Sequence, residues 1–498
     1  GWNGLAADPR WGGQGLPKAL EAAVFETVHA ANMAFGLCPM LTQAAIEALH
    51  AHGSPRQQAL YLPRLVSGEW TGTMNLTEPQ AGTDLAALRT RAEPLGPNAD
   101  GTGVYALHGQ KIFITWGDHD AAENIVHFVL ARLPDAPEGV RGISLFLTSK
   151  REVGEDGALG GLNALRPGGI EHKLGIHASP TCVMLFEGAR AELVGEPNQG
   201  LAHMFTMMNA ARLGVGVEGV GIAERAYQQA RDYALERRQG RSAWSGEAGA
   251  PIFDHPDVRR MLATMKARIE AARALCLTAA VAADLAPADE RERRRYELLV
   301  PVAKAWSTDM AVDVASTAIQ VHGGAGYIEE TGAAQHYRDA RITPIYEGAN
   351  GIQALDLVGR KLPMGDGRAV RELADDMLDT AAALSETDGL ADLAPPLAAG
   401  ITAVQRGASW LLERRGSPDA LAGAAPYLRL LGEVTGGWLL AKGALAAAGR
   451  PDPYLRSKAP LARVYAHQVL HAAPAALAAV TAGADELYGL TPELLGAA

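Results

Sequence analysis

Glu347 is the residue whose type and setting most suggest proton chemistry. It lies in the run RDARITPIYEGANGIQALDLVGRK, residues 338–361, between the apolar Ile342, Pro344, Ile345 and Tyr346 on one side and Gly348 on the other. Ile352, Leu355, Leu357 and Val358 then recur at helical spacing, which predicts a helix starting near Ala349. At such a loop-to-helix junction burial raises a carboxyl pKa and the helix N-terminus lowers it. A carboxylate held between these effects suits a general base. On this stretch alone, a glutamate that merely favours the positive end of a helix is the simpler reading.

Two further stretches carry groups that suit a ligand. Residues 74–84, MNLTEPQAGTD, end a β-prone run; Thr77 and Thr83 offer hydroxyls and Gly82 permits close backbone approach. An ordinary turn after a strand is the alternative. In GQKIFITWG, residues 109–117, Phe113 and Thr115 stand two apart, which predicts one face of a strand. An aromatic face beside a hydroxyl packs a flat ring and bonds its edge; core packing is the other use of the same pair. Gly214, Gly216, Gly219 and Gly221 sit inside the helical stretch 201–237. Each interior glycine costs up to about 1 kcal/mol against alanine, so a backbone or a ligand is expected to come close there. A tolerated, flexible helix is the alternative.

The elements that position these residues follow from pattern. Residues 17–68 read as three helices: one after Pro17, one from about Met40 to His52, and one with Ser54 as N-cap, Pro55 at the first position and Gln57 three after the cap. Residues 71–195 hold short β-prone runs separated by turn residues, which indicates a small β-barrel or sandwich without βαβ alternation, and so no Rossmann fold. Helical periodicity returns at 201–237, 257–285, 295–322 and after Glu347, giving a four-helix bundle. Residues 363–370, PMGDGRAV, read as a linker, followed by an Ala- and Leu-rich helical region. The fold class is therefore α+β, with segments 1–70 (N-terminal helices), 71–195 (central β domain), 196–362 (helical bundle with Glu347) and 363–498 (helical C-terminal extension).

With 498 residues the chain is long enough for several domains. Its net charge of −11 argues against a nucleic-acid binder that works by phosphate neutralisation. Cys38, Cys182 and Cys276 are far apart, show no metal-ligand spacing and suggest no disulfide framework; no metal site is expected, and a reducing, cytoplasmic setting is. No apolar run approaches membrane-spanning length and no signal peptide is visible. The chain opens at Gly1 inside what reads as a helical fold, and further N-terminal residues are expected before it.

Taken in order, the N-terminal helices, LTEPQAGTD, GQKIFITWG, YALERRQGR, QVHGGAGY and IYEGANGIQ resemble the acyl-CoA dehydrogenase family over residues 1 to about 361. The extra helical region resembles the C-terminal extension of the family's long bacterial branch. The resemblance implies FAD, an acyl-CoA thioester, and electron-transfer flavoprotein as the electron acceptor. Glu347 matches the catalytic base, which takes the α-proton while the β-carbon gives hydride to the flavin; the Glu347 N–H and a flavin ribityl hydroxyl polarise the thioester carbonyl. Met74, Leu76 and Thr77 match the strand on the isoalloxazine edge. Thr83 matches a position, more often serine, between the flavin phosphate and CoA. Phe113 stands where tryptophan is common, and Thr115 matches the threonine near the flavin N5. Arg237 and Gln239 match residues that reach the FAD pyrophosphate of a neighbouring subunit; Gln320, Gly323 and Gly324 match the turn that receives the other subunit's adenosine. Ala349, where threonine is usual, and Gly351 follow the base on the cofactor side. Asn209, where aspartate is frequent, and Arg212 match positions near the CoA chain and the base; a surface ion pair is the other reading of Arg212. His322 suits helix capping as well as a ligand role. The resemblance further implies a homodimer or a dimer of dimers and a short substrate, with 3-methylthiopropanoyl-CoA first and butanoyl-CoA as a surrogate. An acyl-CoA oxidase and a DNA-protecting alkylation-response homologue are the alternatives.

Overall fold

The computed structural model describes residues 1–496, and the chain divides into two compact units, Gly1–Gly214 and a second running on from Val215. In the first unit, helices α1 (Lys18–Ala31), α2 (Met33–His52) and α3 (Pro55–Ser67) precede the strands. The capping box at Ser54 forms as its sequence predicts: Ser54 Oγ accepts from the Gln57 N–H, and the Gln57 side chain accepts from the Ser54 N–H. α2 begins seven residues before the expected Met40. Asn32 caps it by accepting from the Phe35 N–H at 3.0 Å, and the helix runs through Pro39, ahead of the expected start.

Nine strands follow: β1 (Trp70–Asn75), β2 (Arg91–Pro97), β3 (Gly103–Thr115), β4 (Asn124–Arg132), β5 (Ile143–Ser149), β6 (Arg151–Val153), β7 (Leu159–Leu162), β8 (Leu165–Ile170) and β9 (Thr181–Val194). β2 pairs with β3, β3 with β9, β9 with β5, β5 with β4, and β4 meets β2 at Arg132–Arg91, so the pairings close into a ring. β1 lies parallel on β4, β8 is antiparallel to β9, and β6–β7 form a separate ribbon. Inside the ring pack Leu107, Ile114, Val129, Phe146, Met184 and Phe186, all buried. Closure removes the open edges that would otherwise invite pairing with other chains.

Helix α4 (Gly200–Glu236) carries the chain through Gly214 into the second unit. There α5 (Pro256–Leu285), α6 (Glu290–His322), α7 (Ala333–Ala340) and α8 (Asn350–Asp356), prolonged by a π turn over Leu357–Lys361, form the helical core. The interior glycines of α4 have a packing reason. A Cβ on Gly216 would lie 2.9 Å from the Ala303 carbonyl oxygen, and one on Gly219 would lie 3.0 Å from that of Ser307, so the α4 and α6 backbones cross in contact. The extension consists of α9 (Arg368–Glu386), α10 (Ala394–Glu413), α11 (Pro418–Ala422), α12 (Ala424–Ala447), α13 (Lys458–Gln468), α14 (Ala473–Val480) and α15 (Asp485–Gly489). Gly432 and Gly436 of α12 leave room for Trp306 of α6, which seats the extension on α6. Among the described residues no helix is long and apolar enough to cross a membrane.

Candidate active site

In the first unit the two ligand-suited stretches are tied together by a buried ion pair. Lys111 Nζ donates to Glu78 Oε1 at 2.8 Å and to the Leu76 carbonyl at 3.0 Å, while the Ile112 N–H donates to the Thr77 carbonyl at 2.9 Å. Glu78 also accepts from the Arg89 and Thr90 N–H groups and from the Thr90 hydroxyl. Burial acts to raise the Glu78 carboxyl, but the Lys111 ammonium and these donors outweigh it and bring its pKa down to about 2. Leu76, Thr77 and Met74 thus stand beside the 111–115 segment in fixed register. Neither partner of the pair is apparent from the motifs read one at a time; the available signal is a lysine in an otherwise apolar strand and a glutamate inside a turn.

The expected strand face of Phe113 and Thr115 is not formed by simple alternation. The β3–β9 register shifts between Lys111 and Ile114, and Phe113 (φ 60°) and Trp116 (φ 53°) both adopt left-handed backbone. A bulge breaks the period of two and turns the Phe113 ring outward, 58% exposed, while Trp116 turns inward and its indole N–H donates to the Ala34 carbonyl at 3.0 Å. Non-glycine residues in this conformation cost of order 1–3 kcal/mol each and persist only where the surroundings hold them. An exposed aromatic face is the result. Thr77 and Thr115 are half-buried and Thr83 is exposed. Arg212 is buried rather than on the surface, with Nη1 donating to Asn209 Oδ1 at 3.2 Å.

In the second unit Glu347 is half-buried and itself left-handed, φ 53°, followed by Gly348 at φ 86°. Ala349 is the N-cap of α8 and makes no side-chain cap bond. Downstream of the glutamate the chain is pinned. Lys304, wholly buried on α6, donates to the Gly348 carbonyl and to Asn350 Oδ1, both at 2.9 Å, and Gln353 Nε2 donates to the Gly348 carbonyl at 3.1 Å. Asn350 Nδ2 in turn donates to the Ala305 carbonyl and to Asp309 Oδ1. Upstream, the Tyr346 hydroxyl donates to Glu218 Oε2 on α4. Burial pushes the Glu218 carboxyl up to about 8; Tyr346 and Lys304 act against this rise, and Glu347 and Asp339 add to it. Lys304 and Glu218 are absent from the motif reading. Each was available as a lone charge in an apolar or glycine-rich helical run.

The remaining expected residues of this unit gather at the ends of α4 and α6. Tyr233 stacks on His322 with ring centroids 4.6 Å apart, and His322 Nδ1 lies 2.7 Å from the Ala318 carbonyl, so His322 packs helix against helix. Arg237 and Gln239 follow the end of α4, and Gly323 and Gly324 follow the end of α6; all four are exposed. A cavity of about 350 Å³ opens between α5 and α6 with Gln320, Arg260, Thr264 and Arg268 in its wall. Arg268 donates to Asp313 at 3.1 Å, yet its buried Nε and the buried Thr264 hydroxyl have no partner among the described residues. Arg260, Thr264 and Arg268 were missed in the sequence, where their spacing of four puts them on one helical face.

Every segment of the chain matches a family model of one group: acyl-CoA dehydrogenase N-terminal domain over residues 1–69, middle domain over 73–189, C-terminal domain over 198–362, and acetyl-CoA dehydrogenase C-terminal like over 372–491. The chain belongs to the acyl-CoA dehydrogenase family. It is 48% identical over 501 residues to the 3-methylmercaptopropionyl-CoA dehydrogenase of Ruegeria pomeroyi, covering 98% of this chain and 84% of that protein. A butyryl-CoA dehydrogenase of Syntrophomonas wolfei is 38% identical over 72% of this chain, which spans 60% of that relative's length. Among solved structures, Caenorhabditis elegans ACDH-11 in complex with C11-CoA superposes with a TM-score of 0.74 at 26% identity, over 86% of this chain and 71% of that one.

Proposed function

We propose that this chain catalyses the FAD-dependent α,β-dehydrogenation of a short acyl-CoA thioester to the trans-2-enoyl-CoA, with 3-methylthiopropanoyl-CoA as its substrate and electron-transfer flavoprotein as its electron acceptor. The observation that carries this reading is Glu347: a non-glycine residue held left-handed at the Tyr346–Glu347–Gly348 junction, with its neighbours pinned on both sides. Strain maintained by surrounding bonds marks a position where direction matters more than backbone comfort. Glu347 takes the α-proton, and its own N–H is the donor offered to the thioester carbonyl. One such donor is worth on the order of 3 kcal/mol in the transition state.

FAD, when bound, supplies the hydride acceptor. The residues present fit it. In the first unit Met74, Leu76, Thr77, Thr83 and Thr115 offer an edge with hydroxyls and the outward Phe113 ring offers a packing face; in the second unit Ala349 and Gly351 match the family's cofactor positions after the base. Arg237, Gln239, Gln320, Gly323 and Gly324 serve the phosphate-bearing half of a neighbouring subunit's cofactor. Unpartnered Arg268 Nε and Thr264 Oγ1 in the cavity beside Gln320 support that assignment, since buried donors without partners are costly unless a ligand meets them. Thr83, Asn209 and Arg212 serve the CoA chain. On this reading the protein is a homodimer or a dimer of dimers in the cytoplasm, with neither nucleic acid nor membrane as a partner; three buried free thiols agree with a reducing compartment.

The substrate follows from the methylmercaptopropionyl-CoA relative at 48% identity. Because one methylene is worth only about 1–3 kcal/mol in an apolar pocket, butanoyl-CoA is expected to turn over as a surrogate. Two measurements test the reading. Glu347→Gln is expected to keep the FAD spectrum and to lose anaerobic flavin bleaching by acyl-CoA by more than the roughly 10²–10⁴-fold of general base catalysis alone; bleaching at near wild-type rate removes Glu347 from its role. A kcat/KM series from propanoyl- to hexadecanoyl-CoA beside 3-methylthiopropanoyl-CoA fixes the chain length, and an optimum at dodecanoyl-CoA or longer rejects the short substrate.

A further inference from the structure

Glu218 is wholly buried on α4, in the glycine-flanked run VGVEGVG, and the dehydrogenation chemistry given above assigns it no part. A carboxyl in such a place needs a reason, because burying it without full compensation costs several kcal/mol. One of its oxygens accepts from the Tyr346 hydroxyl; the other, Oε1, is buried without a partner among the described residues. Tyr346 is the residue directly before the base.

We propose that Glu218 is a positioning residue for Glu347, acting through Tyr346 as the upstream half of a clamp whose downstream half is Lys304 and Gln353. The inference rests on the assignment of Glu347 as the base. A left-handed glutamate is free to relax by rotating the peptides on either side of it. On the peptide that follows the base, the Glu347 carbonyl accepts from Gln353 Nε2 at 3.5 Å, and the next carbonyl, Gly348, is held by Lys304 at 2.9 Å and by Gln353 at 3.1 Å, which together oppose one rotation. The Tyr346 phenol, anchored on α4, blocks the other. The anchor is itself rigid, since Gly216 and Gly219 bring the α4 backbone into contact with α6 on either side of residue 218.

The clamp also works in one charge state. The groups facing Glu218 are Tyr346 and Glu347 from the junction, Lys304 from α6 and Asp339 from α7. Two of these four are carboxylates and one is a phenol that burial and Glu218 itself push well above its ordinary range. Glu218 therefore holds its proton through neutrality and ionises at about 8. Neutral, it anchors Tyr346 without adding charge beside the base. Ionised, it opposes the negative charge that builds on the thioester as the α-proton leaves.

The test uses the FAD-loaded full chain with butanoyl-CoA, with anaerobic flavin bleaching followed across the pH range. Tyr346→Phe and Glu218→Ala are expected to lower the bleaching rate at pH 7 about tenfold, the scale of one lost buried hydrogen bond, with KM within about twofold. The wild type is expected to lose rate above pH 8, and Glu218→Gln is expected to recover most of the loss seen in Glu218→Ala and to abolish that alkaline fall. An alkaline limb in Glu218→Gln that matches the wild type overturns the proposal, as does an unchanged rate in Tyr346→Phe. Should Glu218→Ala fail to fold, Tyr346→Phe carries the test, because it removes only a hydroxyl. If wild type is bleached by no acyl-CoA, the activity reading fails, and infrared spectra of the same proteins decide on Glu218: a protonated carboxyl band at pH 7 that is lost above pH 8 and absent in Glu218→Gln sustains its buried, neutral anchor, and absence of the band from wild type overturns it.

Discussion

At the 111–116 turn a lysine and a glutamate share a pocket in which the carboxylate accepts from Lys111, two backbone N–H groups and the Thr90 hydroxyl. At the 346–348 turn a glutamate meets a tyrosine, and one of its oxygens has no partner among the described residues. Both turns hold non-glycine residues in left-handed backbone, Phe113 and Trp116 in one and Glu347 in the other. The same local problem is thus met by two electrostatic devices. In the first the charge is matched, the carboxyl pKa falls to about 2, and nothing in the working pH range disturbs it. In the second the charge is left poorly matched, the pKa rises to about 8, and the anchor depends on a proton. On the proposed reading, a surface that receives a flat ring is served by a device that does not titrate, and a surface that holds a base gains from a neighbour that adds no charge beside it.

The sharpest way to break this contrast is to remove one partner of the matched pair. Lys111→Met keeps the length of the side chain and leaves Glu78 buried with four neutral donors, from Gln80, Arg89 and Thr90, but no cation. The expected loss is about 3–5 kcal/mol of stability, because the uncompensated buried charge dominates. Chemical denaturation with far-ultraviolet circular dichroism as the readout measures it; a loss under about 1 kcal/mol shows that water reaches Glu78 and that the pair is not the strut described here.

How much of this was legible in the sequence divides along the same line. The capping box at Ser54 is local chemistry, and so is the start of α8 next to Ala349; both lie where pattern places them. From turn spacing the strands were legible as a small barrel or sandwich, and only the pairings close them into a ring. The stretches 74–84 and 109–117 stood out in the sequence, but not the ion pair that joins them, because the turn that carries Glu78 meets Lys111 of β3 only through tertiary contacts. The bulge at Phe113 escaped for a related reason: nothing in KIFIT distinguishes a broken alternation from an intact one until β9 is placed beside it. Glu218 and Lys304 have tertiary partners more than 40 positions away. α2 runs through Pro39, ahead of its expected start, since packing of its buried face outweighs one missing hydrogen bond.

A smaller effect separates close packing from chance flexibility in α4. Alanine at Gly216 gains up to about 1 kcal/mol of helix propensity. Its Cβ would also stand 2.9 Å from the Ala303 carbonyl oxygen and 3.2 Å from Cys276 Sγ, so α4 and α6 must part. Overpacking of this kind costs about 1–3 kcal/mol, and a net loss of about 1–2 kcal/mol is expected for Gly216→Ala. A stabilised variant in thermal unfolding indicates that the glycines only tolerate a loose crossing, and the rigid footing given to Glu218 goes with it.

The last expected effect, read per pH unit, compares the two carboxyls directly through the pH dependence of stability. Glu78 binds its proton less readily in the folded chain than its ordinary 4.5, so it stabilises above about 4.5 and loses that contribution only as pH falls towards 2. Between pH 5 and 8 its contribution is level. Glu218 has the opposite sign: folded, it keeps its proton up to about 8, whereas the unfolded chain releases it near 4.5. Over that window the native state binds one more proton, so stability declines as pH rises, by at most about 1.4 kcal/mol per pH unit from this group. Glu218→Gln removes the titration and is expected to flatten the slope of Tm against pH between 5 and 8 by up to a few degrees per unit. The level of the curve is a poorer guide, since the glutamine amide brings its own unmet donors. The slope isolates the proton. An unchanged slope means that Glu218 is already ionised at neutrality, and the contrast between a matched and a proton-dependent anchor then disappears.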